Sequence, residues 1–116
     1  MDRNENRRNQ MAKFLYQASY TDTGLKGLLK EGGSSRRAAV AKAVKGAGGT
    51  LEAFYYAFGY TDVFAIVDLP DNVDAAALAL QITAAGGAKV KTTVLLTPEE
   101  IDQATKKIAD YRPPGG

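Results

Sequence analysis

TLEAFYYAFGYTDVFAIVDLPD, residues 50–71, decides the fold. It holds two β-prone runs, Thr50–Phe58 and Val63–Leu69, on either side of the turn-prone Gly59-Tyr60-Thr61-Asp62. So short a link joins the two runs as an antiparallel hairpin. Pro70 closes the second run because it offers no amide to a strand ladder. Asp71, Asn72 or Asp74 is then placed to cap a helix from Ala75 to about Ala85, which Gly86-Gly87 ends.

Outward from this hairpin, each flank repeats a strand and a helix. Ala12–Tyr20 is a β-prone run that ends at Thr21-Asp22-Thr23-Gly24. Asp22 or Thr23 can cap a short helical stretch at Leu25–Lys30, which Gly32-Gly33 interrupts. Ser34 or Ser35 supplies a cap for Arg36–Lys45, where Ala39, Val40, Ala43, Val44 and Ala47 recur at helical spacing. Lys89–Leu96 is the fourth strand. Thr97-Pro98-Glu99-Glu100 opens a terminal helix, with Thr at the cap, Pro at the first position and acids in the first turn. Ile101, Ala104, Ile108 and Tyr111 give it an apolar stripe.

The order βαββαβ plus a terminal helix predicts an α+β, ferredoxin-like fold with a four-stranded antiparallel sheet. Crossover handedness puts both internal helices on one sheet face. At 116 residues there is room for one domain, expected over 11–112. Residues 1–10, polar and Asn-rich, read as a flexible extension, and residues 113–116 as a loose tail.

A sheet with one bare face should turn polar at every second position. Here both faces carry apolar side chains. Phe14, Tyr16, Ala18 and Tyr20 oppose Lys13, Leu15, Gln17 and Ser19; Phe54, Tyr56 and Phe58 oppose Leu51, Ala53, Tyr55 and Ala57; Phe64 and Ile66 oppose Val63, Ala65, Val67 and Leu69. Each large side chain left in water forgoes about 1.5–3 kcal/mol. The pattern therefore predicts a cover for the second face: the terminal helix, a bound apolar ligand or, the favoured choice, another copy of the chain packed sheet against sheet with the terminal helix bracing the rim.

Composition narrows the chemistry. The chain has no His and no Cys, which removes thiol nucleophiles, His-based acid–base catalysis, and zinc or haem sites that need those ligands. No metal and no cofactor are expected. A net charge of +2, with the basic excess partly in Arg3, Arg7 and Arg8, is too even for a dedicated nucleic-acid binder. No apolar run reaches the length of a signal peptide core or a membrane span, and the absence of Cys suits a cytoplasmic protein.

The run from Phe58 to Asp71, with Gly59, Tyr60 and Asp62 in its turn and Pro70-Asp71 at its helix start, resembles the signature of the GYD domain family. In this chain Tyr60 follows Gly59 directly and Thr61 precedes Asp62. The similarity extends from about Lys13, through Leu51–Tyr55, to Lys91–Leu95 and Thr97–Glu100. It implies a dimeric α/β-barrel type of assembly and brings no established activity.

Three groupings are the candidates for chemistry. Asp62 beside Tyr60 pairs a carboxylate with a phenol, although an Asp in a turn more often binds backbone amides. Gly32-Gly33-Ser34-Ser35-Arg36-Arg37 feeds a helix start with hydroxyls and two guanidiniums, a set able to hold an anion, although it also reads as a helix break with solvated arginines. Tyr16, Tyr20, Tyr55 and Tyr56 can line a pocket between sheet and helices or pack at a subunit interface. The expected ligand-binding residues are Tyr16, Tyr20, Arg36, Arg37, Tyr56 and Asp62. They point to a small homo-oligomeric binding or assembly module for a small organic or anionic ligand. The competing reading is a cofactor-independent enzyme, for which no catalytic pair is visible.

Overall fold

The computed structural model describes residues 11–107 and 109–116, so the expected extension over 1–10 and the stripe position Ile108 lie outside the described residues. The elements are β1 (Ala12–Tyr20), α1 (Asp22–Glu31), α2 (Gly33–Gly46), β2 (Thr50–Tyr56), β3 (Val63–Leu69), α3 (Asn72–Ala84), β4 (Ala88–Leu95) and α4 (Pro98–Thr105). The strands form one open sheet in the order β2-β3-β1-β4, and every neighbouring pair is antiparallel. This is the α+β, ferredoxin-like arrangement that the sequence order predicts.

The helix starts correct several sequence expectations. Thr21, rather than Asp22 or Thr23, caps α1, its hydroxyl accepting from the Gly24 amide at 3.2 Å. Ser34 and Ser35 lie inside the first turn of α2 and cap nothing; the cap position is Gly32, whose φ of +85° lets the chain pass from one helix to the next. Asp71 alone caps α3, accepting from Val73 and Asp74 at 2.9 and 3.1 Å. At α4 the expected signal is realised in full: Glu100 donates its amide to the Thr97 hydroxyl, and Thr97 donates its own to the Glu100 carboxylate.

The second strand differs most from its reading. It ends at Tyr56, and a bulge between Leu51 and Ala53 shifts its register on β3. Strict alternation assigns Leu51 to the face opposite Phe54. The bulge instead lets Leu51, Phe54 and Tyr56 sit beside Val67, Ala65 and Val63 on one face. Phe58 lies past the strand end, fully exposed. The six-residue link that follows is no tight turn; it is held by Ala57 donating to the Asp62 carbonyl and by Asp62 donating to that of Ala18.

The core forms where α2 and α3 meet one face of the sheet. Phe14, Tyr16, Val63, Ala65, Val67 and Leu69 supply the sheet side, and Val44, Ala75 and Leu78 the helix side. Gly24 in α1 abuts Gly87 so closely that a Cβ would fall 1.8 Å from the Gly87 carbonyl oxygen. Thr21 clamps the same contact, donating its amide to Gly87 at 3.0 Å and its hydroxyl to Gly86 at 2.7 Å. These bonds tie the end of β1 to the start of β4 and form one wall of the site described below.

Among the described residues, none covers the opposite sheet face. Tyr55 is 71% exposed and Phe64 37%, with Leu15, Ile66 and Leu95 half-buried beside them. The terminal helix does not close over this face: none of its residues is buried, and Ile101 and Leu96 stand in solvent. No helix among the described residues is long and apolar enough to cross a membrane.

Phe14 is one of the largest fully buried side chains, at 1% exposure. Replacing it with Ala should lower the unfolding free energy by about 3–5 kcal/mol in urea titrations. A loss under about 1 kcal/mol, the range of surface changes, would contradict its place in the core.

Candidate functional site

The two βα units do not close tightly on each other. Between the sheet and helices α2 and α3 lies a cavity of ≈ 90 Å³. Its floor is Tyr16, Ala18, Ala65 and Val67, and Val44 and Leu78 roof it from the helices. The alanines along this stretch leave the volume, because α2 and α3 carry few side chains large enough to reach across it. At one end the cavity meets a wider cleft of ≈ 320 Å³ that shares Tyr20, Arg36, Ile82 and Ala88 and adds Thr23, Gly24 and Glu31.

The polar groups are few and specific. The Tyr16 hydroxyl donates to the Ala75 carbonyl at 2.5 Å, fixing the first turn of α3 against β1. Burial pushes the Tyr16 phenol up to about 12, against a smaller downward pull from Thr92. Tyr20 is also pushed up to about 12, first by burial and then by the Tyr56 phenol beside it, while Arg36 pulls the other way. Tyr56 donates to the Gly33 carbonyl at 3.0 Å and packs edge-on against Phe54, with ring centres 5.3 Å apart. The Arg36 guanidinium contacts Glu31 at 3.4 Å across the Gly32-Gly33 break.

Of the six expected site residues, the fold brings four together. Tyr16, Tyr20 and Arg36 line the cavity, and Tyr56 stands against Tyr20 and the start of α2. Arg37 points elsewhere, into a shallow cleft with Gly33, Ser34, Phe54 and Tyr56. Successive helix positions face about 100° apart, which turns Arg37 toward this cleft and Arg36 toward the cavity. Asp62 stands apart from the cavity: its carboxylate accepts from the Tyr20 amide at 2.8 Å and ends the β1 ladder. A turn aspartate is expected to cap its own backbone, and here the carboxylate instead takes the amide of a neighbouring strand.

Sequence reasoning missed Glu31, Thr23 and Ile82, which complete the cleft. Glu31 had a usable signal, since it lies five residues before Arg36 and the double glycine folds the chain back between them. Ile82 had none, because its role depends on the angle at which α3 crosses the sheet.

A sequence profile of the GYD domain family matches residues 14–105, nearly the whole of the fold. The chain belongs to the GYD domain family. No curated protein matches it.

The raised phenols have a measurable consequence. Unfolded tyrosines ionise near 10, and in the folded chain Tyr16 and Tyr20 hold their protons to about 12. The unfolded state therefore binds fewer protons over this interval, and stability falls as pH rises from 10 toward 12 while staying level below 10. Ultraviolet difference titration should show a late-ionising class of phenols, which Tyr16→Phe and Tyr20→Phe each reduce. A single transition near 10 for every tyrosine would contradict their burial.

Proposed function

We propose that the chain is a homo-oligomeric binding module, using one sheet face to hold a small ligand and the other to pair with a second copy. The observation that carries this reading is the contrast between the two faces. The helix side of the sheet is hollow at Tyr16, Tyr20 and Arg36, while the far side leaves Tyr55, Phe64 and Ile66 without a cover.

The second copy is favoured by the charges at the corners of the open face. Lys13 binds both Glu52 and Asp68 (2.8 Å to Asp68), so the β2–β3 corner keeps one excess negative charge. Asp68 first, and Glu52 next, hold the Lys13 ammonium protonated above its ordinary range. Register places Lys91 beside Gln17 and Lys89 beside Ser19, at the diagonally opposite corner. A two-fold axis along the other diagonal would set the acidic corner of one copy over the basic corner of its partner. It would also cross the strands at nearly a right angle, one of the two regular ways in which sheets pack. Phe64, Ile66 and Leu15 would meet their own counterparts at the centre. This is a dimeric barrel-like assembly, and the exposed apolar side of α4 is available to grip its rim.

Binding is favoured over catalysis by the direction of the tyrosine shifts. A general acid or base works best with a pKa near the ambient pH. Tyr16 and Tyr20 are moved away from neutrality, which keeps them as neutral hydroxyls suited to hydrogen bonding. A module of this kind needs no cofactor.

Phe64→Glu puts a charge at the centre of the proposed contact without touching the helix-side core. Light scattering should then give the monomer mass where the parent chain gives a dimer or a multiple of it, with an unchanged circular dichroism spectrum. Retention of the parent mass by both Phe64→Glu and Tyr55→Glu would remove the open face as the interface.

A further inference from the structure

The cavity and the cleft beside it have different chemistry, and together they specify a ligand with two ends. The cavity is walled by hydrocarbon: Val44 and Val67 are almost fully buried, and Leu78 and Val63 nearly so. Its one deep hydroxyl, that of Tyr16, is already committed to the Ala75 carbonyl. A water there would find too few partners, since an internal water needs two to four. An apolar cavity of about 150 Å³ accommodates a benzene ring, so ≈ 90 Å³ open at one end suits a short hydrocarbon chain or part of a ring.

The open end is polar and carries one cation. Arg36 borders both the cavity and the cleft, and Tyr20 lies beside it in both. Arg36 has two side-chain partners, Glu31 and the Tyr20 hydroxyl. Its contact with Glu31 is single, 3.4 Å long and between half-exposed side chains, the kind of pair that contributes little. A ligand carboxylate could take both guanidinium donors in parallel, a stronger and more directional arrangement than the Glu31 contact. The Tyr20 hydroxyl lies beside the Arg36 guanidinium at this end.

We propose that the cavity and the head of the cleft form one site for a small monocarboxylate. Its hydrocarbon end lies between Val44, Leu78 and Tyr16, and its carboxylate exchanges with Glu31 on Arg36. This assignment rests on the binding-module reading and gives the ligand its chemical class. Charge selects the head group, since Arg36 is the cation in the cavity wall and Glu31 repels a second negative group in the cleft. Volume limits the enclosed part of the tail to a few carbons or part of a ring.

Calorimetric titration of the full chain with hexanoate and benzoate, against 1-hexanol and benzyl alcohol, tests the assignment. The carboxylates should bind at least about tenfold more tightly than the alcohols of equal size. Arg36→Gln should abolish that preference, bringing carboxylate affinity down to that of the matching alcohol. Glu31→Gln should tighten carboxylate binding, a gain that damage to the fold would not produce. Equal affinity for acids and alcohols, unchanged in Arg36→Gln, would overturn the carboxylate assignment while leaving a ligand-binding pocket. No heat from any of the four probes at millimolar concentration would overturn both the assignment and the binding-module reading.

Discussion

Helices α2 and α3 pack on the same face of one four-stranded sheet, and most of the molecule's properties follow from that asymmetry. Each βα unit returns its helix to the same side, so Val44 of α2 and Leu78 of α3 meet one core with Phe14 and Val67 beneath them. The helices are alanine-rich, and their contact with the sheet leaves a cavity along Tyr16 and Tyr20. The other face receives no helix from the described residues. Its Tyr55 and Phe64 remain uncovered, and a chain of this size has little spare apolar area to leave in water.

The two faces are coupled through shared strands. In β1, Tyr16 lines the cavity while its neighbours Leu15 and Gln17 look out from the open face. In β3, Ala65 lies under the cavity between Phe64 and Ile66 on the outer side. A partner that fixed the outer side chains would therefore also stiffen the floor of the pocket. Asp62 adds to this frame by holding the Tyr20 amide, so the strand end that carries the Tyr20 phenol is anchored from the β2–β3 link.

Element order and the start of α4 were legible in the sequence because they are local. The Thr97-Pro98-Glu99-Glu100 start depends on bonds spanning three residues, and it forms as read. The face of Leu51 was not legible, because a bulge is set by the partner strand rather than by the bulged residues. The same boundary divides the site. Tyr16 and Tyr20 alternate visibly on one side of a strand, so their joint position could be anticipated. The separation of Arg36 from Arg37 follows from helical rotation, and the serines between them and Gly33 concealed it by suggesting a later helix start than the one formed. The closeness of Glu31 to Arg36 requires knowing how sharply the chain turns at Gly32.

Sedimentation velocity of the parent chain over a range of micromolar concentrations tests the central claim most directly, because it asks whether the bare face is covered in solution. The account predicts a dimer or a multiple of it, with no dissociation until the lowest concentrations. A monomer throughout that range would contradict it, since the exposed Tyr55 and Phe64 would then need no partner.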